Sequence, residues 1–272
     1  MCKTAQFAWK KKPAGINAED IFMKKNLIFA MMIAIGFTCF AANPASDFDY
    51  DMSPDGSGVM IKKYKGTSTK VDIPETIEGL PVVQIGDTDD ILGETVFPHT
   101  MYTKSKNIPY KVTVPKSVKV VGTQAFASLK GKITIDTTKL TKIGRGAFSG
   151  SDLTGTVVIT KDCKLGASAF EGSKITAVVI QEGVESLGEE SVVSGFVFAS
   201  CSNLKSVTFP KTLKSIARGS FNNCANLTEV IIPEGLKIEY ADDGDGFTFK
   251  FCSSLNLATK AKIKATGYTG EF

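Results

Sequence analysis

The feature that most constrains this chain is a short pattern that it repeats. Residues 201–210 read CSNLKSVTFP and residues 224–233 read CANLTEVIIP, so the pattern begins again after 23 residues. A fixed period of this length is typical of proteins built from stacked structural repeats. The strand-like part of the pattern occurs seven times, as VDIP (71–74), VTVP (112–115), ITID (133–136), VVIT (157–160), VVIQ (178–181), VTFP (207–210) and VIIP (230–233).

A second part of each unit ends in a phenylalanine, as in VVGTQAF, KIGRGAF, KLGASAF and SIARGSF. Two further units fit if EESVVSGFV and YADDGDG are loop insertions. We expect this shared position to form an inward column in the core. Its members are Phe126, Phe148, Phe170, Phe198, Phe221 and Phe249.

The chemistry of one unit predicts the architecture. Alternation along a strand places Val207 and Phe209 on one face and Thr208 on the other. Pro210 then ends the strand, because proline has no N–H to donate to a neighbouring strand. Each unit is too small to bury its own apolar side chains, so neighbouring units must stack and share one core. The sequence therefore predicts a repeat solenoid that is mainly β, with short parallel strands, turns and little helix.

The repeat resembles the BspA-like leucine-rich repeats, a bacterial surface-protein family whose unit runs C-x-N-L-x-x-V-x-I-P, then L-x-x-I-G-x-x-A-F. The resemblance covers about residues 55–257 and implies a leucine-rich-repeat coil stack of about seven units. Two departures are a long insertion at 87–110 in the first unit, in place of an A-F turn, and Ala217 in place of a glycine. The expected domains are a leader (1–41), an N-terminal capping segment (42–70), the repeats (71–258) and a C-terminal end segment (259–272).

The leader has the pattern of an export signal. From Met23 the chain reads MKKNLIFAMMIAIGFTCFAAN, which is a basic pair, an apolar run and then small residues. We expect residues 23–41 to be a signal peptide that is cleaved after Ala41. Residues 1–22 lack signal-peptide character, which indicates a mis-assigned start.

Two alternatives for this segment fit less well. A membrane anchor would need roughly 20 apolar residues, whereas residues 27–42 supply only 16. A lipoprotein would use Cys39, but the preceding Gly36, Phe37 and Thr38 are a poor lipidation signal. The mature chain is therefore predicted to have no membrane span and to be secreted or held at the cell surface.

Net charge disfavours a nucleic-acid partner. The whole chain has a formal charge of +4, but residues 42–272 contain 26 basic and 26 acidic side chains. A neutral mature chain predicts no basic stripe that could follow a phosphate backbone.

The cysteines of the repeat follow the phenylalanine column. Cys201, Cys224 and Cys252 each lie three residues after a repeat phenylalanine. An exported protein invites a disulfide interpretation. Side chains stacked in register, however, have Cβ atoms about 5 Å apart, beyond the roughly 3.8 Å that a disulfide prefers. We expect a buried ladder of free thiols that act as small apolar residues.

Motifs that would indicate catalysis or a cofactor are weak. The single histidine, His99, lies in the first-unit insertion, and no spacing pairs it with a cysteine. Residues 144–150, GRGAFSG, lack the lysine and the spacing of a phosphate-binding loop. Asp242, Asp243 and Asp245 could hold calcium, but no glutamate follows at EF-hand spacing. We predict no catalytic, cofactor or metal site.

The outward positions of the strands are the remaining candidates for function. Stacking is predicted to bring outward side chains into two columns on one sheet, and the first column has Val158 beside Val179. The second column contains the residue before each strand, namely Lys70, Lys111, Lys132, Thr156, Ala177, Ser206 and Glu229. Two explanations stay open, because β-branched residues favour strands and because an apolar row can bind a partner. The first column starts at Asp72, and its proposed contact residues are Thr113, Thr134, Val158, Val179, Thr208 and Ile231.

The resemblance implies a function as well as a fold. BspA-like proteins are implicated in adhesion to host extracellular proteins such as fibronectin and fibrinogen. The resemblance therefore implies that this chain is a non-enzymatic exported protein that binds an extracellular or host protein. The alternative is a structural component of the cell envelope that packs through its solenoid face.

Overall fold

The computed structural model describes residues 42–88, 95–97, 108–188, 195–240 and 247–272. The predicted leader, His99 and the acidic segment 241–246 lie outside these ranges. Among the helices of the described part, none has the length and apolar character to cross a membrane.

Short strands dominate the described ranges. The helical elements are two 3-10 helices, Ala45–Asp47 and Thr137–Lys139, and the α-helix α1, Leu257–Ala265. The strands are β1 (Phe48–Met52), β2 (Val59–Tyr64), β3 (Lys70–Asp72), β4 (Thr76–Ile77), β5 (Leu80–Ile85), β6 (Tyr110–Thr113), β7 (Val120–Val121), β8 (Gly131–Thr134), β9 (Lys142–Ile143), β10 (Thr154–Ile159), β11 (Lys164–Leu165), β12 (Lys174–Ile180), β13 (Ser186–Leu187), β14 (Ser206–Thr208), β15 (Ser215–Ile216), β16 (Glu229–Ile231) and β17 (Glu239–Tyr240).

The repeat strands pair in parallel along the coil stack. The V-x-I-P strands form two sheets, ordered β3-β6-β8 and β10-β12-β14-β16. A second side of the coils carries the sheet β1-β2-β5-β7-β9-β11, with β4 on β5, and the sheet β13-β15-β17. This arrangement confirms the prediction of a mainly β solenoid with short parallel strands and little helix.

The prediction that all V-x-I-P strands share one sheet is wrong, because β8 and β10 do not pair. The ITID unit has Asp136 where four of the seven units have proline, and the Asp136 carboxylate accepts from the Thr138 N–H at 3.1 Å. This contact caps a 3-10 helix directly after β8. The Val158 N–H then donates to Thr137 Oγ1 at 2.9 Å instead of to a strand carbonyl.

Asp152 links the coils across this break. Its Oδ2 accepts from the Gly131 N–H at 2.9 Å, and its Oδ1 lies 2.8 Å from Lys174 Nζ. Burial acts to raise the pKa of Asp152, but the hydrogen bonds from Lys174 and Gly131 and the charge of Lys130 outweigh it and lower the pKa. The carboxylate therefore stays charged and holds β8 and β12 to the same junction.

A column of stacked phenylalanine rings runs through the core. Phe126, Phe148 and Phe170 are at most 1% exposed, and their neighbouring ring centroids are 5.3 Å apart. The column continues through Phe198, Phe221 and Phe249, with centroid separations between 5.2 and 5.7 Å. Interplanar angles of 2 to 12° make it a parallel offset stack.

The first unit also supplies a ring to this column, which the sequence interpretation missed. Phe97 is 2% exposed and stacks on Phe126 with centroids 5.4 Å apart. The Val96 N–H donates to the Ala125 carbonyl, so Val96 and Phe97 hold the A-F position of that unit. The insertion at 87–110 therefore surrounds a normal repeat position rather than replacing it.

The departure at Ala217 does not break the stack. The Ala217 N–H donates to the Leu187 carbonyl at 2.9 Å, as the Gly144 N–H does to Val121. Gly188 makes room on the neighbouring coil, because a Cβ there would lie 2.9 Å from the Ala217 Cβ.

The turns around each phenylalanine have an alternating backbone. The N–H groups of Phe126, Phe148 and Phe170 each donate to a carbonyl of the next coil at 2.8 Å. Residues two positions before and after the phenylalanine adopt positive φ, which glycine adopts most easily. The earlier position has Gln124, Gly146, Ser168, Phe196 and Gly219, and the later one has Ser128, Gly150, Gly172, Ser200, Asn223 and Phe251.

The cysteines form a second buried column beside the rings. Cys201, Cys224 and Cys252 are 0% exposed, and each is a free thiol. Their Sγ atoms donate to the carbonyls of the preceding coil's phenylalanines, Phe170, Phe198 and Phe221, at 3.1 to 3.2 Å. Burial raises the pKa of Cys201 to about 11 and of Cys252 to about 12, and it raises that of Cys224 as well.

We expect Phe148→Ala to lower the free energy of unfolding by about 3 to 5 kcal/mol, because it removes a ring that is packed between two others. Lys132→Ala, at an exposed strand position, should cost less than about 0.5 kcal/mol. Urea unfolding followed by circular dichroism measures both. Equal, mild effects of the two substitutions would contradict the packing role of the ring column.

The buried thiols should resist alkylation in the folded protein. A pKa near 11 leaves roughly a hundredfold less thiolate at pH 8 than an exposed cysteine has. Iodoacetamide at pH 8, followed by peptide mass spectrometry, should therefore modify Cys201 and Cys252 only after urea is added. Rapid modification of either residue in the folded chain would show that the column is open to solvent.

Candidate functional site

The outward row of the four-stranded sheet is the first candidate surface. Ladder pairing places Val158 beside Val179, Val179 beside Thr208 and Thr208 beside Ile231. Their neighbours along each strand are buried, so these four side chains point away from the core. The buried neighbours are Val157, Val178, Val207 and Val230.

This row is apolar for a surface that faces solvent. Ile231 is 48% exposed, while Val158, Val179 and Thr208 are half-buried. A parallel row on the same face contains Thr156, Ala177, Ser206 and Glu229. The face therefore has a mainly apolar line beside a row that contains two hydroxyl groups, one methyl group and one carboxylate, which is a composition that suits contact with another protein.

The other predicted contact residues lie on the three-stranded sheet. Thr113 pairs with Thr134 and with Asp72, and β8 ends this sheet before β10 begins the next one. A hydrogen bond from Thr113 lowers the pKa of Asp72, and Lys70, 3.1 Å away, lowers it further. The structure thus divides the predicted set into a polar pair and an apolar row of four.

A basic row accompanies the polar pair. Lys70, Lys111 and Lys132 are exposed and paired in register on β3, β6 and β8. The prediction of no basic stripe came from net charge, which carries no information about where charges lie. It is wrong for this sheet.

Within the described ranges, the side chains that could act as nucleophiles or metal ligands are either buried or far from one another. Burial raises the pKa of Cys163 to about 12, so this thiol is a poor nucleophile near neutral pH, like the three in the core. The described part of the chain contains no group of three or more His, Cys, Asp or Glu side chains that could hold a metal ion. A concavity beside Phe97, Tyr110 and Leu129 has space for about one water molecule.

An aromatic and cationic patch on the turn side was missed by the sequence interpretation. Phe196 is 36% exposed and Phe251 is 56% exposed, although both lie at positive-φ turn positions. Arg218 Cζ lies 4.9 Å from the Phe247 ring centroid, and Lys250 Nζ lies 5.1 Å from the same ring and 5.6 Å from that of Phe251. These contacts have the geometry of cation–π pairs.

The sequence did contain a signal for this patch. At the same turn positions most other coils carry Gly, Ser, Asn or Gln, which tolerate a left-handed backbone better than phenylalanine does. The Phe196 ring occupies the space that a side chain at residue 219 would fill, because a Cβ on Gly219 would lie 2.5 Å from the ring. Two aromatic side chains kept at unfavourable positions mark a second candidate surface.

Comparisons with known proteins agree with the repeat. A family model described as the BspA type leucine rich repeat region, in 6 copies, matches residues 94–194 and 164–266. No curated protein matches the chain. Proteins of this family are typically bacterial surface proteins and binding modules.

One solved structure in particular has the same fold. A leucine rich repeat protein of T. pallidum is 24% identical, covers 85% of this chain and 99% of its own, and has a TM-score of 0.60. A leucine-rich repeat protein from Bacteroides ovatus ATCC 8483 is 21% identical over 73% of this chain and 55% of its own, with a TM-score of 0.46. Together, the matched residues and the coil geometry show that this chain belongs to the BspA type leucine-rich repeat family.

Proposed function

We propose that this protein is a non-enzymatic, exported binding protein that contacts another protein through the outward face of β10, β12, β14 and β16. The observation that carries the proposal is the in-register row of Val158, Val179, Thr208 and Ile231. Four neighbouring strands present a line of three apolar side chains and one threonine there, and its flanking side chains bring only one charge, that of Glu229.

The rigidity of this face supports a binding role. The inner side of the same strands packs on the buried core, and β12 pairs with strands on both of its sides. A preformed surface loses little conformational entropy when a partner docks, so more of the interaction energy remains as affinity. Solenoid proteins commonly bind partners along such extended faces.

Export and adhesion complete the proposal. The basic, apolar and small residues of 23–41 follow the order of a signal peptide, and the family is typically found at bacterial surfaces. Fibronectin and fibrinogen are the first partners to test, because the family resemblance implies adhesion to host extracellular proteins. Absence of catalysis is part of the same proposal, supported by the high pKa values of the four described thiols.

A structural role in the cell envelope is the second candidate. The same apolar row supports it, because a second copy of the chain could cover Ile231 and its neighbours. Light scattering separates the two functions. A stable oligomer that dissociates when the row is mutated would favour assembly, whereas a monomer favours binding of a different protein.

The double substitution Val158→Asp, Val179→Asp should weaken partner binding by roughly 2 kcal/mol or more, about thirtyfold in Kd, because two unpaired charges would be buried in the interface. Surface plasmon resonance against immobilised fibronectin and fibrinogen measures the change. Folding should persist, because both side chains point away from the core, and circular dichroism checks this.

The matched control is Ser202→Asp, Ser254→Asp, which adds the same two charges at exposed turn residues. It should leave Kd unchanged. Phe251→Ser tests the turn side separately, since its ring is the most exposed of the aromatic patch. If Phe251→Ser abolishes binding while the valine pair binds normally, the contact surface is the turn side and the proposed face is wrong.

A further inference from the structure

The three-stranded sheet at the N-terminal half of the solenoid carries a row of like charges. Lys70 pairs with Lys111 and Lys111 pairs with Lys132, and all three side chains are exposed. Neighbouring strands lie roughly 4.8 Å apart, so the three ammonium groups can line up over about 10 Å along the solenoid axis. At the equivalent positions of the four-stranded sheet there is no lysine.

This row is only partly neutralised. Lys70 Nζ lies 3.1 Å from the Asp72 carboxylate, and the charge of Lys111 also helps to lower the pKa of Asp72. Among the described residues, neither Lys111 nor Lys132 has a carboxylate within ion-pair distance. Like charges that face each other across paired strands destabilise a sheet. Repulsion between the lysines therefore destabilises this sheet locally, and a bound anionic ligand would remove that repulsion.

The surroundings of the lysines restrict the kind of anion. The other outward side chains of the ladder are Asp72, Thr113 and Thr134, so the face has hydroxyl groups but no aromatic or large apolar side chain. Single-stranded nucleic acids are typically bound by aromatic stacking platforms, and protein interfaces depend on buried aromatic, apolar or arginine anchors. Neither kind of anchor is available here.

We propose that Lys70, Lys111 and Lys132 form a binding site for a linear sulfated polysaccharide. Lysine ammonium groups act as point charges that suit sulfate oxygens, and the threonine hydroxyls beside them can donate hydrogen bonds to the same groups. A straight row of cations fits an extended chain with repeated sulfates. This site lies on a different sheet from the proposed protein-contact face and does not rest on that function.

The test is fluorescence anisotropy of the full chain with a labelled heparin oligosaccharide. Lys111→Glu, Lys132→Glu should weaken binding at least tenfold at low salt. The matched control is Lys262→Glu, Lys264→Glu on α1, which changes the net charge equally at two exposed positions and should alter Kd less than twofold. The wild-type affinity should fall with salt with a logarithmic slope of roughly −2, as expected for about three ionic contacts.

Three further probes decide the class of ligand. Desulfated heparin, which keeps its carboxylates, and poly-glutamate should both bind at least tenfold more weakly than heparin. Duplex DNA should do the same. Equal or tighter binding of any of these three would overturn the assignment to a sulfated chain. Equal losses of affinity in the two double lysine variants would overturn the site, because they would show that only net charge matters.

One further variant distinguishes loss of heparin binding from loss of folding. Lys132→Gln removes a charge from the end of the row without adding a new one, and the Lys132 side chain is exposed to solvent. It should retain the wild-type melting curve and still weaken heparin binding severalfold. An unchanged affinity in this folded variant would contradict the site.

Discussion

Each coil of this protein depends on the next one for both its backbone hydrogen bonds and its apolar cover. A strand of two to seven residues cannot bury a core alone, and the turns of one coil donate to the carbonyls of its neighbour. The ring of Phe148 shows the same dependence, because it is sandwiched between Phe126 and Phe170. The fold is therefore specified by repetition in register, and side chains that interrupt the register have effects beyond their own coil.

The parts of the fold that are the same in every repeat were predictable from the repeated sequence pattern. Alternation gave the inward and outward sides of each strand, and the shared position of the phenylalanines predicted the inward column in which Phe126 and Phe249 lie. The free cysteines follow from the same argument, since residues stacked in register have the wrong separation for a disulfide.

The parts that the sequence interpretation missed depend on single substitutions within the period. Asp136 caps a 3-10 helix at the break between the two sheets, at a position where four of the seven units have proline and two others have threonine or glutamine. Phe97 belongs to the ring column, but the insertion around it hides the spacing. The column that contains the three lysines was predicted, but it was not recognised as a basic row, because net charge averages over the chain whereas register decides which charges become neighbours.

The division at Asp136 also separates two kinds of surface. The N-terminal sheet presents lysine and threonine, and the C-terminal sheet presents valine, threonine and isoleucine at equivalent positions. One repeat therefore supports two surfaces with different chemistry, because outward residues can change without any effect on the inward columns. This freedom is consistent with a family whose members keep the coil and vary its exposed residues.

The central claim is that stability passes from coil to coil through neighbouring contacts. A double-mutant cycle between Phe148→Leu and Phe170→Leu, measured by urea unfolding, tests it directly. Neighbouring rings should couple by about 1 kcal/mol, whereas Phe148→Leu and Phe249→Leu should be additive within about 0.5 kcal/mol. Equal coupling in the two pairs, or none in the neighbouring pair, would contradict the account.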